Sequence, residues 1–220
     1  MSIHAVIFDL DGVIVSTDEL HYQAWRKLAD GLSIPFSRED NERLRGVSRM
    51  ESLEIVLEKW QGAPFTSDEK LAMAETKNSV YRESLANLTS ADILPGVLET
   101  LHSLKQHGVR TAIGSSSKNA AAILTAIGLS DHFDAVADGT HISKSKPDPE
   151  VFLLAAGLLG AEPAHCLVVE DADAGVEAAV RAGMPVLAVG SARSHPGATL
   201  GARDLASISI DEMLFMTPVS

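Results

Sequence analysis

Residues Ala5-Val6-Ile7-Phe8-Asp9-Leu10-Asp11-Gly12-Val13-Ile14-Val15 decide how the rest of the chain is read. Four apolar residues running straight into two carboxylates describe a strand of a parallel sheet that delivers its acids at its C-terminal end. Open α/β sheets keep their ligands at that edge. Asp9 and Asp11 are two residues apart, so on extended backbone they project to the same side, and Gly12 lets the chain turn away at once. Two carboxylates aimed at one place repel each other, and a cation between them, a proton held by one of them, or both would relieve the repulsion. A lone D-x-D is also compatible with two solvated acids at a strand end; the choice rests on what later strand ends bring.

Downstream of Val15 the pattern changes. Ser16-Thr17-Asp18-Glu19 suits a helix start, and Leu20, Ala24, Trp25, Leu28, Ala29 and Leu32 follow at helical spacing. Only helical patterns occur up to about Thr89, over roughly 18–31, 38–45, 49–60 and 67–87. An all-α block inside an α/β chain predicts a helical cap, residues 16–91, inserted into a core of residues 1–15 and 92–220, with hinges near Val13–Thr17 and Thr89–Pro95. Alternation resumes with a helix opened by Gly96, strands at Val109–Gly114, Phe133–Ala137, Cys166–Val169 and Pro185–Val189, and helices between them. The prediction is a doubly wound parallel sheet with an inserted helical cap domain. The C-terminal stretch adds one short strand near Ile208 and a helical turn after Asp211.

Composition narrows the function classes. With 220 residues, 45% hydrophobic and 22% charged, the chain can bury a substantial core, and no apolar run is long enough to cross a bilayer. The first strand follows the N-terminus directly, leaving no room for a signal peptide, so a cytoplasmic protein is expected. A net charge of −12 argues against nucleic acid or an anionic membrane as partner. An anionic substrate must then be held by a few local cations and backbone N–H groups. The single cysteine, Cys166, leads an apolar run and reads as a buried thiol. Nothing suggests a large hydrophobic interface, and a monomer is expected.

Asp9/Asp11, Ser115, Lys146 and Glu170/Asp171 all fall at the same edge of the predicted sheet. These are the residue types phosphoryl transfer uses: a carboxylate nucleophile, oxygen ligands for Mg²⁺, and a hydroxyl and a lysine for the phosphoryl oxygens. Singly, Ser115 and the Glu170-Asp171 pair read equally well as helix caps, and Lys146 as a solvated loop lysine. Together and in this order, as D-x-D-G, Ser, Lys and Glu-Asp, they resemble the haloacid-dehalogenase superfamily over essentially the whole chain. The helical insertion, with Gly46-Val47-Ser48-Arg49, Ser115-Ser116-Ser117-Lys118-Asn119, Ser145-Lys146-Pro147 and Glu170-Asp171-Ala172-Asp173-Ala174-Gly175, is similar to the β-phosphoglucomutase-like branch.

The resemblance implies Asp9 as phosphorylated nucleophile and Asp11 as general acid/base. It implies a Mg²⁺ ion surrounded by Asp9, the Asp11 carbonyl, Glu170 and Asp171. Ser115 and Lys146 would hold the transferring phosphoryl group, and Arg49 with Ser117, Lys118 and Asn119 the second phosphate of a sugar bisphosphate; Gly46 and Ser116 belong to the same motifs. Thr17 and His21 would link cap closure to Asp11, and Lys77-Asn78 would reach sugar or phosphate. The substrates implied are sugar phosphates: β-glucose 1-phosphate and glucose 6-phosphate, interconverted through β-glucose 1,6-bisphosphate. A sugar-phosphate phosphatase of the same branch is the alternative. Two positions depart from the family pattern, Ala172 where a small hydroxyl residue is usual and Ser16 where an acid is common. A mutase needs two phosphate sites, whereas a hydrolase needs one and admits water; Arg49 and Lys118 supply candidates for the second, guanidinium being suited to bidentate phosphate contact. Without the resemblance, Arg49 reads as a solvated arginine near a helix start.

Overall fold

The computed structural model describes residues 3–215. The first strand, β1 (Ala5–Phe8), is wholly buried and is followed by four helices: α1 (Asp18–Gly31), α2 (Arg38–Glu42), α3 (Arg49–Leu57) and α4 (Ser67–Leu85). Then come α5 (Val97–Gln106), β2 (Arg110–Gly114), α6 (Ala120–Ala126), β3 (Ala135–Ala137), α7 (Glu150–Leu159), β4 (Cys166–Glu170), α8 (Asp173–Arg181), β5 (Val186–Ala188), β6 (Leu200–Gly201) and α9 (Ile210–Leu214). The strands form one parallel sheet in the order β3-β2-β1-β4-β5-β6, so β1 lies centrally, between β2 and β4. No helix among the described residues is long and apolar enough to cross a membrane.

Strand alternation sorts the core into two layers. Val6, Phe8, Ile113, Leu167, Val169 and Leu187 face one side, against α5, α6 and α9. Ala5, Ile7, Ala112, Val168, Val186 and Ala188 face the other, against α7 and α8, and Cys166 is buried there. Burial on both faces is the condition under which unbroken apolar strands such as Cys166-Leu167-Val168-Val169 form.

The insertion has its own apolar centre, built from Trp25, Ala29, Ile34, Leu44, Leu53, Val56 and Ala74. Capping boxes at Ser37/Asp40, Ser48/Glu51 and Thr66/Glu69 start α2, α3 and α4. The ends of α1 and α4 nearest the sheet join the main core through Ala24, Tyr81 and Leu85. Where the chain leaves and re-enters the sheet domain, Val15 pairs antiparallel with Ile93, and the Leu94 N–H donates to the Ile14 carbonyl at 2.9 Å.

Several predicted boundaries shift. The strand predicted over Phe133–Ala137 is limited to Ala135–Ala137. The helix predicted over 38–45 stops at Glu42 because the chain must turn into Gly46, which sits at φ +74°. No strand forms near Ile208. The final strand is Leu200–Gly201, too short to show a pattern, and residues 205–207 make a 3₁₀ turn before the expected helical turn at Ile210–Leu214.

Candidate active site

Register brings the acids together. Phe8 is level with Ile113 on β2 and Val169 on β4, so Asp9, Gly114 and Glu170 stand side by side where the three strands end. Asp9, Glu170 and Asp171 each place one carboxylate oxygen within 4.8 Å of the others. Two glycines make the room: a Cβ on Gly12 would come to 2.1 Å from Asp171, and one on Gly175 to 1.8 Å from Glu170. Glu170 is oriented by the backbone N–H groups of Asp171 at 2.9 Å and Ala172 at 3.0 Å. Burial raises the pKa of both Asp9 and Asp171; the Lys146 ammonium opposes this at Asp9, whereas the charges of Glu170 and Asp9 reinforce it at Asp171. An all-oxygen donor set of this kind, crowded and short of positive charge, fits a hard divalent cation such as Mg²⁺.

Lys146 is fully buried, donating to Asp9 and, at 2.5 Å, to Glu170. Burial alone would lower its pKa, but the two carboxylates outweigh that and keep it charged. Expected as a ligand for the transferring phosphoryl group, it stands behind the cavity beside Asp9 and Glu170.

The strand ends at Phe8 and the backbone bends at Leu10. The Asp11 carboxylate is outside the three-acid cluster and lines the same cavity as Asp9. It accepts a hydrogen bond from the Thr17 hydroxyl, which in turn accepts one from Tyr81 at 3.1 Å. Thr17 occupies the N-cap position of α1 without capping it, its hydroxyl being committed to Asp11. Burial pushes the Asp11 carboxyl up to about 6, with Thr17 pulling it back. Nearby, Lys77 and His21 Nδ1 lie 2.9 Å apart, and Lys77 sits over the rings of Trp25 and Tyr81. Burial, helped by the charge of Arg49, brings Lys77 down to about 7; burial and then the charge of Lys77 hold His21 well below its usual value.

The remaining candidates line a cavity of about 400 Å³ between sheet edge and insertion. On the sheet side the Ser115 hydroxyl accepts from the Ser117 N–H at 3.1 Å, and the Ser117 hydroxyl from the Asn119 N–H at 3.2 Å. The Ser116 hydroxyl is buried without a partner. Lys118 is exposed at the rim. On the insertion side Arg49 faces the cavity while pairing with Glu75 at 3.1 Å. The Asn119 amide crosses between the two sides to Asn78 at 3.1 Å.

Two neighbours of the site carried no sequence signal. Tyr81 reads as one more apolar residue of α4, and only the fold turns its hydroxyl toward Thr17. Arg45 looks like a surface charge ahead of Gly46, yet it reaches Asp171 at 3.0 Å. At Ala172, one of the two departures, the methyl group packs where a Cβ on Gly46 would lie 3.5 Å away, and α8 begins without a side-chain cap.

Comparison with known proteins agrees with this geometry. A family model described as haloacid dehalogenase-like hydrolase matches residues 3–183. The chain is 43% identical to a β-phosphoglucomutase of Bacillus subtilis over 94% of its length and 92% of the relative's. It is 33% identical to a phosphorylated carbohydrates phosphatase of Thermotoga maritima over 82% of each. The crystal structure of a β-phosphoglucomutase from Clostridium difficile superposes with a TM-score of 0.89 at 40% identity, covering 95% of this chain and 94% of that one. With its parallel sheet, strand-end acids and helical insertion, the chain belongs to the haloacid dehalogenase-like hydrolase family.

Proposed function

We propose that the protein is a Mg²⁺-dependent β-phosphoglucomutase of the cytoplasm, interconverting β-D-glucose 1-phosphate and glucose 6-phosphate through β-glucose 1,6-bisphosphate. The observation that supports this reading is that hydroxyl and cationic groups of the kind that can bind phosphate line both walls of one cavity, Ser115 and Ser116 on the sheet side and Arg49 and Lys77 on the other. A phosphatase needs only one such wall. In this reading residues 16–91 act as a cap over a core of residues 1–15 and 92–220.

Asp9 attacks phosphorus, the sugar oxygen departs, and an aspartyl phosphate forms. Asp11, protonated, gives its proton to the leaving oxygen, and as the carboxylate it takes the proton from the sugar hydroxyl that later attacks the aspartyl phosphate. Its value near 6 suits a group that must work in both states. Asp9, Glu170, Asp171 and the Asp11 carbonyl would hold Mg²⁺, which supplies neutralisation of the phosphoryl oxygens. Ser115 and Lys146, with Ser116 beside them, hold and orient the transferring phosphoryl group. Arg49, Lys118 and Asn119 hold the other phosphate, keeping the sugar in place and water out. Thr17, through Asp11, and His21, through Lys77, tie these groups to the hinge side of α1 and α4.

The test is the ratio of glucose 6-phosphate formed to inorganic phosphate released from β-glucose 1-phosphate, with Mg²⁺ and a trace of bisphosphate, using the α anomer as control. The expected result is glucose 6-phosphate in large excess from the β anomer alone. Phosphate as the main product would overturn the mutase reading in favour of a sugar-phosphate phosphatase, the activity named for the Thermotoga relative.

A further inference from the structure

Among the described residues, a single ion pair joins the insertion to the sheet domain: Arg45 with Asp171, 3.0 Å between Nη1 and Oδ2. Asp171 is one of the three clustered acids. Lys146 serves the other two, Asp9 and Glu170, and does not reach it. The guanidinium therefore supplies the charge that Asp171 otherwise lacks. Its other edges stay with the cap: Nη2 donates to Asp18 at the start of α1, and Nε lies 3.0 Å from Glu42 at the end of α2. The next residue, Gly46, is seated against Ala172 and Ala174 of the sheet domain, so the arm is carried into the site by the cap loop itself.

We propose that Arg45 is a built-in competitor of the divalent cation: in the metal-free closed form it occupies Asp171, so that metal loading and cap closure oppose each other. The inference rests on the metal reading above. A divalent ion among Asp9, Glu170 and Asp171 would share Asp171 with a guanidinium, and like charges at contact distance repel. Arg45 need not be stranded when it leaves, because Asp18 and Glu42 travel with it on the cap. By linkage, whatever closes the cap through Arg45 weakens metal binding, and metal binding releases the cap by the same factor.

The experiment is calorimetric titration of Mg²⁺ into the substrate-free protein, paired with energy transfer between dyes on Leu71→Cys of α4 and Leu158→Cys of α7, both exposed positions. Arg45→Gln is expected to bind Mg²⁺ about fivefold more tightly or better, and to show low transfer that Mg²⁺ does not change. Wild type is expected to lose transfer as Mg²⁺ is added. Arg45→Lys, which keeps the charge, is expected to retain most of that response. Binding by wild type that Arg45→Gln leaves unchanged or weakens overturns this proposal alone. No binding by any variant overturns the metal reading and this proposal with it.

Discussion

The two walls of the cavity are held by different physics. On the sheet side, Asp9, Glu170 and Lys146 are buried and interlocked, and Glu170 also accepts two backbone N–H groups. On the cap side, the side chains of Arg45 and Arg49 are about a quarter exposed and lean on the exposed glutamates Glu42 and Glu75. Breaking a buried, hydrogen-bonded charge pair by removing one partner costs about 3–5 kcal/mol, whereas an exposed pair is worth about 0–1 kcal/mol. On the proposed function, the sheet side would keep one geometry through every turnover, and the cap side would exchange partners, giving up a glutamate for a phosphate.

The harshest way to break this contrast is at Asp9. Asp9→Asn keeps the shape but removes the proposed nucleophile, and turnover should fall by about four orders of magnitude or more. The same change takes one charged partner from the buried Lys146, which keeps Glu170, and also relieves one of three crowded negative charges; the two effects oppose each other, so the thermal unfolding temperature should move little. Substantial residual turnover with a normal fold would take the nucleophile's role from Asp9.

A cap-side change should instead alter which product forms. Arg49→Ala, which removes a charged contact to phosphate worth about 1.5–3 kcal/mol, should slow glucose 6-phosphate formation by about 10–100-fold while phosphate release falls much less or rises. Arg49→Lys should restore only part, because a point charge lacks the bidentate fork. Equal losses in both products would mean that the two walls do not divide the labour in this way.

The smallest expected effect lies where the walls meet. Thr17 donates to the charged form of Asp11 and so holds its pKa down; Thr17→Val removes that bond, worth about one pH unit. The acid then stays protonated to higher pH, and the alkaline limb of the rate profile should move up by that amount. A raised folded-state pKa also means that the native protein binds more protons than the unfolded chain between the ordinary carboxylate range and about 6, so stability falls as pH rises through that window. The variant should extend the fall to higher pH. An unmoved limb would detach Thr17 from Asp11.

The same contrast explains what could be read from sequence. Sheet-side groups sit at strand ends, where an apolar run stopping at Asp9 or Glu170 announces both the strand and the residue it delivers. Lys146 was legible as a motif position, but not its burial behind Asp9. Arg45 and Tyr81 were not legible, since their partners lie 126 and 64 residues away in sequence and depend on how the cap folds down. Asp11 was legible as a strand-end acid but its hydrogen bond to Thr17 was not, because the backbone bends at Leu10 and the partner comes from the start of α1.

One last consequence belongs to the backbone pairing of Val15 with Ile93. To the sheet domain, everything between these residues is a closed loop whose ends are already side by side, and the entropy of closing a loop grows only logarithmically with its length, by about 0.6 kcal/mol per doubling. Provided the apolar ends that reach into the core at Ala24, Tyr81 and Leu85 are kept, the length of polypeptide hung from that point is nearly free to vary. The sheet can therefore keep its chemistry while the covering over it is lengthened, shortened or exchanged wholesale.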